Sequence, residues 1–184
     1  KIFNGIEVLD FENTENGVTV FGNYGFEMKA AKMAVCTNGF AKKLLPKLED
    51  VAPARNQVLI TKPIDNLHLK GTFHYDRGYV YFRNVGNRIL LGGFRNIAKT
   101  EEMTTQFGMT KNIQDTLENF LRTVILPNQK VELEQWWSGI MGVGETKAPI
   151  LEMVEPNIFV AVRLGGMGIA IGSLVGEELA GLMN

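Results

Sequence analysis

The stretch Phe159-Val160-Ala161-Val162-Arg163-Leu164-Gly165-Gly166-Met167-Gly168-Ile169 decides how the carboxy-terminal part of this chain folds. Residues 157–162 are almost continuously apolar, which is typical of a strand buried on both faces of a sheet. Glycines follow immediately, and the pattern after them predicts a helix that continues through Leu182. The stretch therefore predicts a buried strand, a glycine turn and a helix start in direct succession.

The glycine turn has two interpretations. Glycine lets the backbone approach a ligand closely, and a helix start adds unpaired N–H groups and a partial positive charge, so the turn suits an anion or an electron-rich carbonyl. Alternatively, the glycines only permit a tight turn between strand and helix. The stretch is not the G-x-G-x-x-G fingerprint of dinucleotide-binding folds, which opens a βαβ unit and has an acidic residue about 20 positions later.

Composition excludes several classes of protein. The 184 residues include 20 acidic and 19 basic ones, which argues against a nucleic-acid surface or a polybasic membrane patch. No apolar run approaches the roughly 18 residues that a transmembrane segment requires. The single cysteine, Cys36, cannot form an internal disulfide, so nothing indicates an oxidising compartment. We therefore expect a cytoplasmic protein, with Cys36 as a small core residue at the end of a strand.

The order of predicted elements indicates an α+β fold. Strand patterns occupy residues 6–11, 17–21, 26–29, 32–37, 56–62, 71–75, 78–83, 88–94, 131–136 and 157–162. One long helix follows Thr110, a good N-cap, and Pro127 ends it. Its predicted buried face consists of Ile113, Leu117, Phe120, Leu121 and Val124. We also expect Trp137 in the core and Glu101 and Glu102 as solvated helix ends.

Several short motifs, taken in order, resemble one enzyme superfamily. They are Met33-Ala34-Val35-Cys36-Thr37-Asn38-Gly39-Phe40, Pro53-Ala54-Arg55-Asn56-Gln57-Val58-Leu59, residues 79–93, Trp137-Ser138-Gly139-Ile140, Lys147-Ala148-Pro149-Ile150-Leu151 and the glycine turn. The set is similar to the FAD-dependent superfamily of D-amino-acid oxidase, glycine oxidase and sarcosine oxidase. Each motif is weak by itself, and the resemblance rests on their order over nearly the whole chain.

The resemblance implies an antiparallel-sheet substrate domain with a long helix, together with the carboxy-terminal portion of an FAD-binding, Rossmann-like domain. We expect residues 1–52 and 143–184 to belong to the FAD-binding domain and residues 53–142 to form the substrate domain. The family's glycine-rich βαβ unit would precede Lys1. We therefore expect this chain to be a fragment of a longer parent, to lack bound FAD by itself and to be inactive alone.

The resemblance also implies which residues meet the cofactor and the substrate. The expected FAD contacts are Thr37, Asn38, Gly39, Gly165, Gly166, Met167, Gly168 and Ile169. The expected substrate contacts are Tyr79, Tyr81, Arg83, Met141 and Arg163. Relatives of the glycine-oxidase type have an arginine at the position of Met141, which holds a substrate carboxylate by two parallel hydrogen bonds. Arg163 is a candidate to replace it, and Arg83 and Arg77 are others.

The preferred hypothesis is a flavoprotein that removes a hydride equivalent from the C–N bond of an amine or amino acid. We assign no catalytic side chain and no metal site, since His68 and His74 lack further ligands at suitable spacing. One alternative is a stand-alone, β-rich module that binds a small ligand without catalysis. Another is a flavin dehydrogenase that feeds a quinone chain. An exposed flavin-side surface would also allow a homodimer.

Overall fold

The computed structural model describes residues 1–184 and confirms the α+β class. The strands are β1 (Val8–Thr14), β2 (Gly17–Gly22), β3 (Glu27–Ala30), β4 (Met33–Val35), β5 (Ala52–Thr61), β6 (Thr72–Tyr75), β7 (Val80–Val85), β8 (Arg88–Gly93), β9 (Leu133–Val143), β10 (Ile150–Glu155) and β11 (Ile158–Val162). The α-helices are α1 (Lys111–Phe120) and α2 (Gly168–Leu182). Neither combines the length and hydrophobicity that crossing a bilayer demands.

The chain divides into two compact units, one formed by Lys1–Pro53 with Met141–Asn184 and the other by Ala54–Ile140. The first unit contains an antiparallel sheet in the order β1-β2-β3 and a mixed sheet in the order β10-β11-β4. The central strand β11 pairs antiparallel with β10 and parallel with β4. The assignment of the units to flavin and substrate binding stays a prediction.

Strand β11 is buried along its whole length, as its apolar run predicts. Ile158, Val160 and Val162 lie in one apolar cluster, whereas Phe159 and Ala161 lie in another with α2. Alternate residues of a strand point to opposite faces, so both faces of β11 are covered. The end of this strand is therefore held firmly where the glycine turn begins.

The second unit contains a five-stranded sheet in the order β6-β7-β8-β5-β9. Helix α1 covers one face of it, with Ile113 and Leu117 in the same core as Leu59, Val80 and Leu91. Val58, Gly92 and Tyr81 are cross-strand neighbours in register. Since they alternate with the core residues, their side chains point to the face opposite α1.

The predicted burial of Val124 is wrong, because the helix changes its geometry before that residue. Leu121–Ile125 form a π-helical turn, in which each hydrogen bond spans one more residue than in an α-helix. The extra residue rotates the following side chains around the axis. Val124 is consequently 57% exposed, and Ile125 packs against the core instead.

The expectations for Trp137 and Cys36 are also wrong. Trp136 packs against the core of the second unit, so Trp137, the next residue on the strand, points the other way and is 36% exposed. Strand β4 ends at Val35, and Cys36 lies beyond it with its side chain exposed. No sequence pattern predicted strand β10. Strand β9 extends to Val143, beyond its predicted end at residue 136.

Glu102 is fully buried in the second unit, contrary to the expectation that it is a solvated helix end. Arg55 Nη2 donates to Glu102 Oε1 at 2.7 Å, and Arg55 Nε donates to Oε2 at 3.1 Å. The Thr110 hydroxyl donates to the same carboxylate, and the Thr110 backbone amide donates to Gln57 Oε1 at 3.0 Å. Thr110 thus starts α1, but its hydroxyl bonds Glu102 and makes no cap hydrogen bond.

This buried ion pair fixes the segment between β8 and α1 to strand β5. Burial alone would raise the pKa of Glu102, but hydrogen bonds from Arg55 and Thr110 outweigh it and hold that pKa below its ordinary value. The same pair raises the pKa of Arg55. A carboxylate whose pKa is lowered by folding stabilises the fold above its unfolded pKa of about 4.3. That contribution is lost as the pH falls through the lower folded value.

We predict that Glu102→Gln lowers the free energy of unfolding of the second unit by about 3–5 kcal/mol at pH 7, because it leaves the buried Arg55 without a counter-charge. Urea unfolding followed by tryptophan fluorescence measures this, since both tryptophans, Trp136 and Trp137, lie in this unit. The difference in the free energy of unfolding between this variant and the wild type should shrink once the pH is acidic enough to protonate Glu102.

The control is Glu132→Gln, which removes an ion pair to Lys62 whose side chains are both more than half exposed. We expect this variant to change the free energy of unfolding only slightly, because exposed ion pairs contribute little to stability. Equal losses of unfolding free energy in both variants would contradict the conclusion that the buried Arg55–Glu102 pair stabilises this unit.

Candidate functional site

The glycine turn connects the end of β11 to the start of α2 in the first unit. Gly165 and Gly166 have φ angles of +56° and +84°, a backbone region that favours glycine. The Met167 amide donates to the Leu164 carbonyl at 2.8 Å, which closes the turn. The Gly165 amide donates to the Gly142 carbonyl at 2.9 Å. The glycines therefore do permit a tight turn between the strand and the helix, as the second interpretation states.

The turn is also open, which the ligand interpretation requires. Gly165, Gly166 and Met167 are exposed, and the space around Gly165 where a Cβ would project contains no atom within 4 Å. The Ile169 side chain, in the first turn of α2, is fully exposed. The glycines thus permit the turn and also leave its outer surface accessible to a ligand.

Three backbone amides at this turn have no hydrogen-bond partner: those of Gly166, Gly168 and Ile169. The first amides of a helix lack partners within the helix, and the helix start carries a partial positive charge. Three free donors at the start of a 15-residue helix form a site for an anion or a carbonyl oxygen. Met167 was expected to offer its amide as well, but that amide is used within the turn.

Asn38 holds the other side of the turn. Its Oδ1 accepts hydrogen bonds from the backbone amides of Arg163 at 3.0 Å and Leu164 at 3.2 Å. A Cβ at Gly142 would overlap this Oδ1, so glycine is required there. The structure thus brings Asn38 beside the turn, as expected for a cofactor contact, but uses its side-chain oxygen to fix the backbone. Of its neighbours, Thr37 is exposed and Gly39 is buried.

Arg163 is placed differently from the expectation that it binds a substrate carboxylate. Arg163 is 9% exposed, and its side chain forms an ion pair with Asp50. Its Nε donates to the Ala148 carbonyl at 2.7 Å, and Nη1 also donates to the Asp50 carbonyl at 3.2 Å. A guanidinium with these partners stabilises the unit and has little capacity left for a ligand. Met141, by contrast, lies with its sulfur beside Gly166.

In the second unit, the predicted substrate residues lie at or near one surface of the sheet. Tyr81 and Arg83 are two residues apart on β7, so both point away from α1. Arg83 is exposed and forms no ion pair, while Tyr79, just before β7, is 42% exposed. Asn56 Nδ2 donates to the Tyr81 hydroxyl oxygen at 3.0 Å. Burial raises the pKa of Tyr81, so this hydroxyl stays protonated at neutral pH.

Sequence reasoning missed the residues that position these groups. Asn56 had a signal, since it is a polar residue within a predicted strand. Asp50 and Gly142 had none, because each acts through a residue more than 90 positions away. Such pairings become visible only in three dimensions.

A strand–turn–helix start with free amides belongs to the class of cofactor sites that bind anionic or carbonyl groups. The sequence profile described as FAD dependent oxidoreductase matches residues 1–182. The chain belongs to this FAD-dependent oxidoreductase family, as the ordered motifs predicted. The family uses FAD, and the open turn fits it, because the isoalloxazine ring carries carbonyl oxygens that free amides can bind.

Solved structures support the same fold. The chain is similar to L-proline dehydrogenase from P. horikoshii (19% identity, TM-score 0.81, all of this chain and 50% of that chain). It is also similar to glycine oxidase from Geobacillus kaustophilus (20% identity, TM-score 0.82, all of this chain and 49% of that chain). The chain therefore spans about half the length of these structures. Comparison with curated protein sequences gave no match.

We predict that Asn38→Ala loosens the turn, because the Arg163 and Leu164 amides lose their acceptor. Loss of hydrogen bonds worth about 1–2 kcal/mol should speed hydrogen exchange at these two amides by roughly 5- to 30-fold. Exchange measured by NMR tests this. Asn38→Asp keeps an acceptor oxygen at the same position and should preserve most of the protection. Unchanged exchange in Asn38→Ala would show that Asn38 does not hold the turn.

Proposed function

We propose that the whole protein oxidises the C–N bond of an amine or amino acid with FAD, and that this chain contributes the glycine turn and the substrate-facing sheet. The observation that carries the proposal is the set of three unpaired amides, those of Gly166, Gly168 and Ile169, on an open turn at the start of α2. Membership of the FAD-dependent oxidoreductase family supports it.

The glycine turn would hold the electron-rich end of the flavin. Bound FAD supplies the acceptor for a hydride equivalent, and its reduced ring carries additional negative charge. Free amides and the positive end of α2 stabilise such charge more than they stabilise the neutral oxidised ring. Asn38 contributes indirectly, because it fixes the backbone that aims these amides. Thr37, exposed beside Asn38, is the second proposed cofactor contact.

The open face of the five-stranded sheet would bind the substrate. Tyr81 provides a hydroxyl group there, Tyr79 is partly exposed just before β7, and Arg83 provides an exposed guanidinium without a partner. A guanidinium suits a carboxylate because it offers two parallel N–H groups. Similar structures include glycine oxidases, an L-proline dehydrogenase and an L-amino acid deaminase, which supports an amino acid or a related amine as substrate.

No strong acid or base is needed among the residues of the chain. A neutral amine can deliver a hydride equivalent directly, so the side chains have to bind, orient and shield the reacting bond.

We predict that the full-length, FAD-loaded protein loses its visible flavin absorbance when amino acids or amines are added anaerobically. Free FAD with the same compounds is the control and should keep its absorbance. Oxygen is then added to one reduced sample and a soluble quinone to another. If oxygen restores the flavin absorbance, the enzyme is an oxidase; if only the quinone restores it, the enzyme is a dehydrogenase. Failure of a broad panel of amines and amino acids to bleach the flavin would contradict the proposed function.

A further inference from the structure

The first unit contains a groove of about 550 Å³ to which none of the candidate cofactor residues contributes. Its floor is apolar and consists of Phe11, Leu44, Leu45, Leu48 and Val154. All five belong to, or pack against, the apolar cluster that covers one face of β11. The floor is therefore held in place by the core of the unit, as in a preformed binding site.

Strand β10 forms one wall of this groove and is also an edge of its sheet. In the order β10-β11-β4 it has a neighbouring strand on one side only. No hydrogen bond joins the backbone of Ile150–Glu155 to any part of the chain except β11. The backbone groups that point away from β11 therefore have no partner, and an edge of this kind can accept an additional strand.

The rim of the groove is acidic. Glu49, Glu152 and Glu155 line it and are exposed, and none of them forms an ion pair within the chain. Lys47 is the one basic residue among the lining residues. Carboxylates around an apolar floor suit a long basic side chain, because its aliphatic stem packs on the floor while its charged end reaches the rim. The excess of negative charge attracts a basic partner and repels an acidic one.

We propose that this groove and the edge of β10 bind an extended, basic segment of a partner protein, which adds to the sheet as a strand. The register shift between Met153 and Glu155 is a bulge, so the segment pairs with Ile150–Met153. Alternate side chains of a strand point to the same face, so every second residue of the segment enters the groove and is lysine or arginine. The surface shares no residue with the candidate cofactor and substrate sites, so the inference does not depend on the proposed oxidation.

The same charges argue against a second copy of this chain as the occupant. Two copies paired edge to edge through β10 would bring Glu152 and Glu155 of one copy close to the same residues of the other. Like charges that face each other across a strand pair destabilise it. The rim therefore protects the edge against self-association and leaves it available to a segment of opposite charge.

Binding of short synthetic peptides to the full-length, FAD-loaded protein tests the inference, with fluorescence anisotropy as the measurement. The peptides have about six residues, the length of an ordinary strand, and every second residue is lysine or arginine. We expect at least one of them to bind saturably and to bind more weakly as salt is added. Norleucine in place of the basic residues keeps the aliphatic stems and should weaken binding, because it removes the charge.

Strand addition has a signature that charge attraction alone does not produce. Successive N–H groups of a strand point to opposite edges, so only every second one of the peptide faces β10. We therefore prepare the best peptide with N-methyl groups at its odd positions and, separately, at its even positions. We expect one of these two peptides to lose binding and the other to keep it.

The protein variant that tests the rim combines Glu152→Gln with Glu155→Gln. We expect it to weaken binding of the best peptide by about 3- to 30-fold, because two exposed ion pairs are lost. The matched control combines Glu177→Gln with Glu178→Gln, which changes the net charge equally at two exposed residues of α2. The control should bind the peptide as the wild type does. Retention of the flavin and an unchanged unfolding midpoint show that each variant is folded.

The inference is overturned if no peptide of the panel binds saturably, if both N-methylated peptides bind equally, or if both double variants lose binding equally. A dimer of the protein in which the amides of β10 become protected from hydrogen exchange would also overturn it, because a second copy would then occupy the edge. Bleaching of the flavin by amines is measured separately, so either proposal can fail while the other stands.

Discussion

The hydrogen bonds from the Arg163 and Leu164 amides to Asn38 Oδ1 are the constraint on which the candidate cofactor site depends. A strand that is buried on both faces ends at Val162, and its next two amides would otherwise lack partners. One side-chain oxygen satisfies both of them, and the chain then turns through two glycines into α2. The amides of Gly166 and Gly168, which have no partner in the chain, follow directly on this fixed backbone.

In the second unit, too, polar side chains join backbone segments that are distant in sequence. Arg55 and Glu102 form a buried ion pair that joins β5 to the segment before α1, and Thr110 connects it to the helix start. Burying two charges is costly, so the pair requires the hydrogen bonds that surround it. In both units, therefore, buried polar contacts fix backbone segments, while the groups available to ligands lie on open surfaces nearby.

The sequence predicted those features that depend on local patterns. The buried strand, the glycine turn and α2 follow one another directly, so the apolar run and the glycines were sufficient to find them. Trp137 and Val124 were misplaced because their burial depends on which face the core occupies and on a π-helical turn that periodicity does not reveal. Glu102 was taken for a surface residue, since its partner Arg55 is 47 positions away.

A crystal structure of the full-length protein with FAD bound tests the central claim most directly. The account predicts that the backbone nitrogens of Gly166, Gly168 and Ile169 include donors about 3 Å from the carbonyl or ribityl oxygens of the flavin. Asn38 should still bond the amides of Arg163 and Leu164 there. The account is contradicted if that structure shows these three amides covered by protein, with the flavin bound elsewhere.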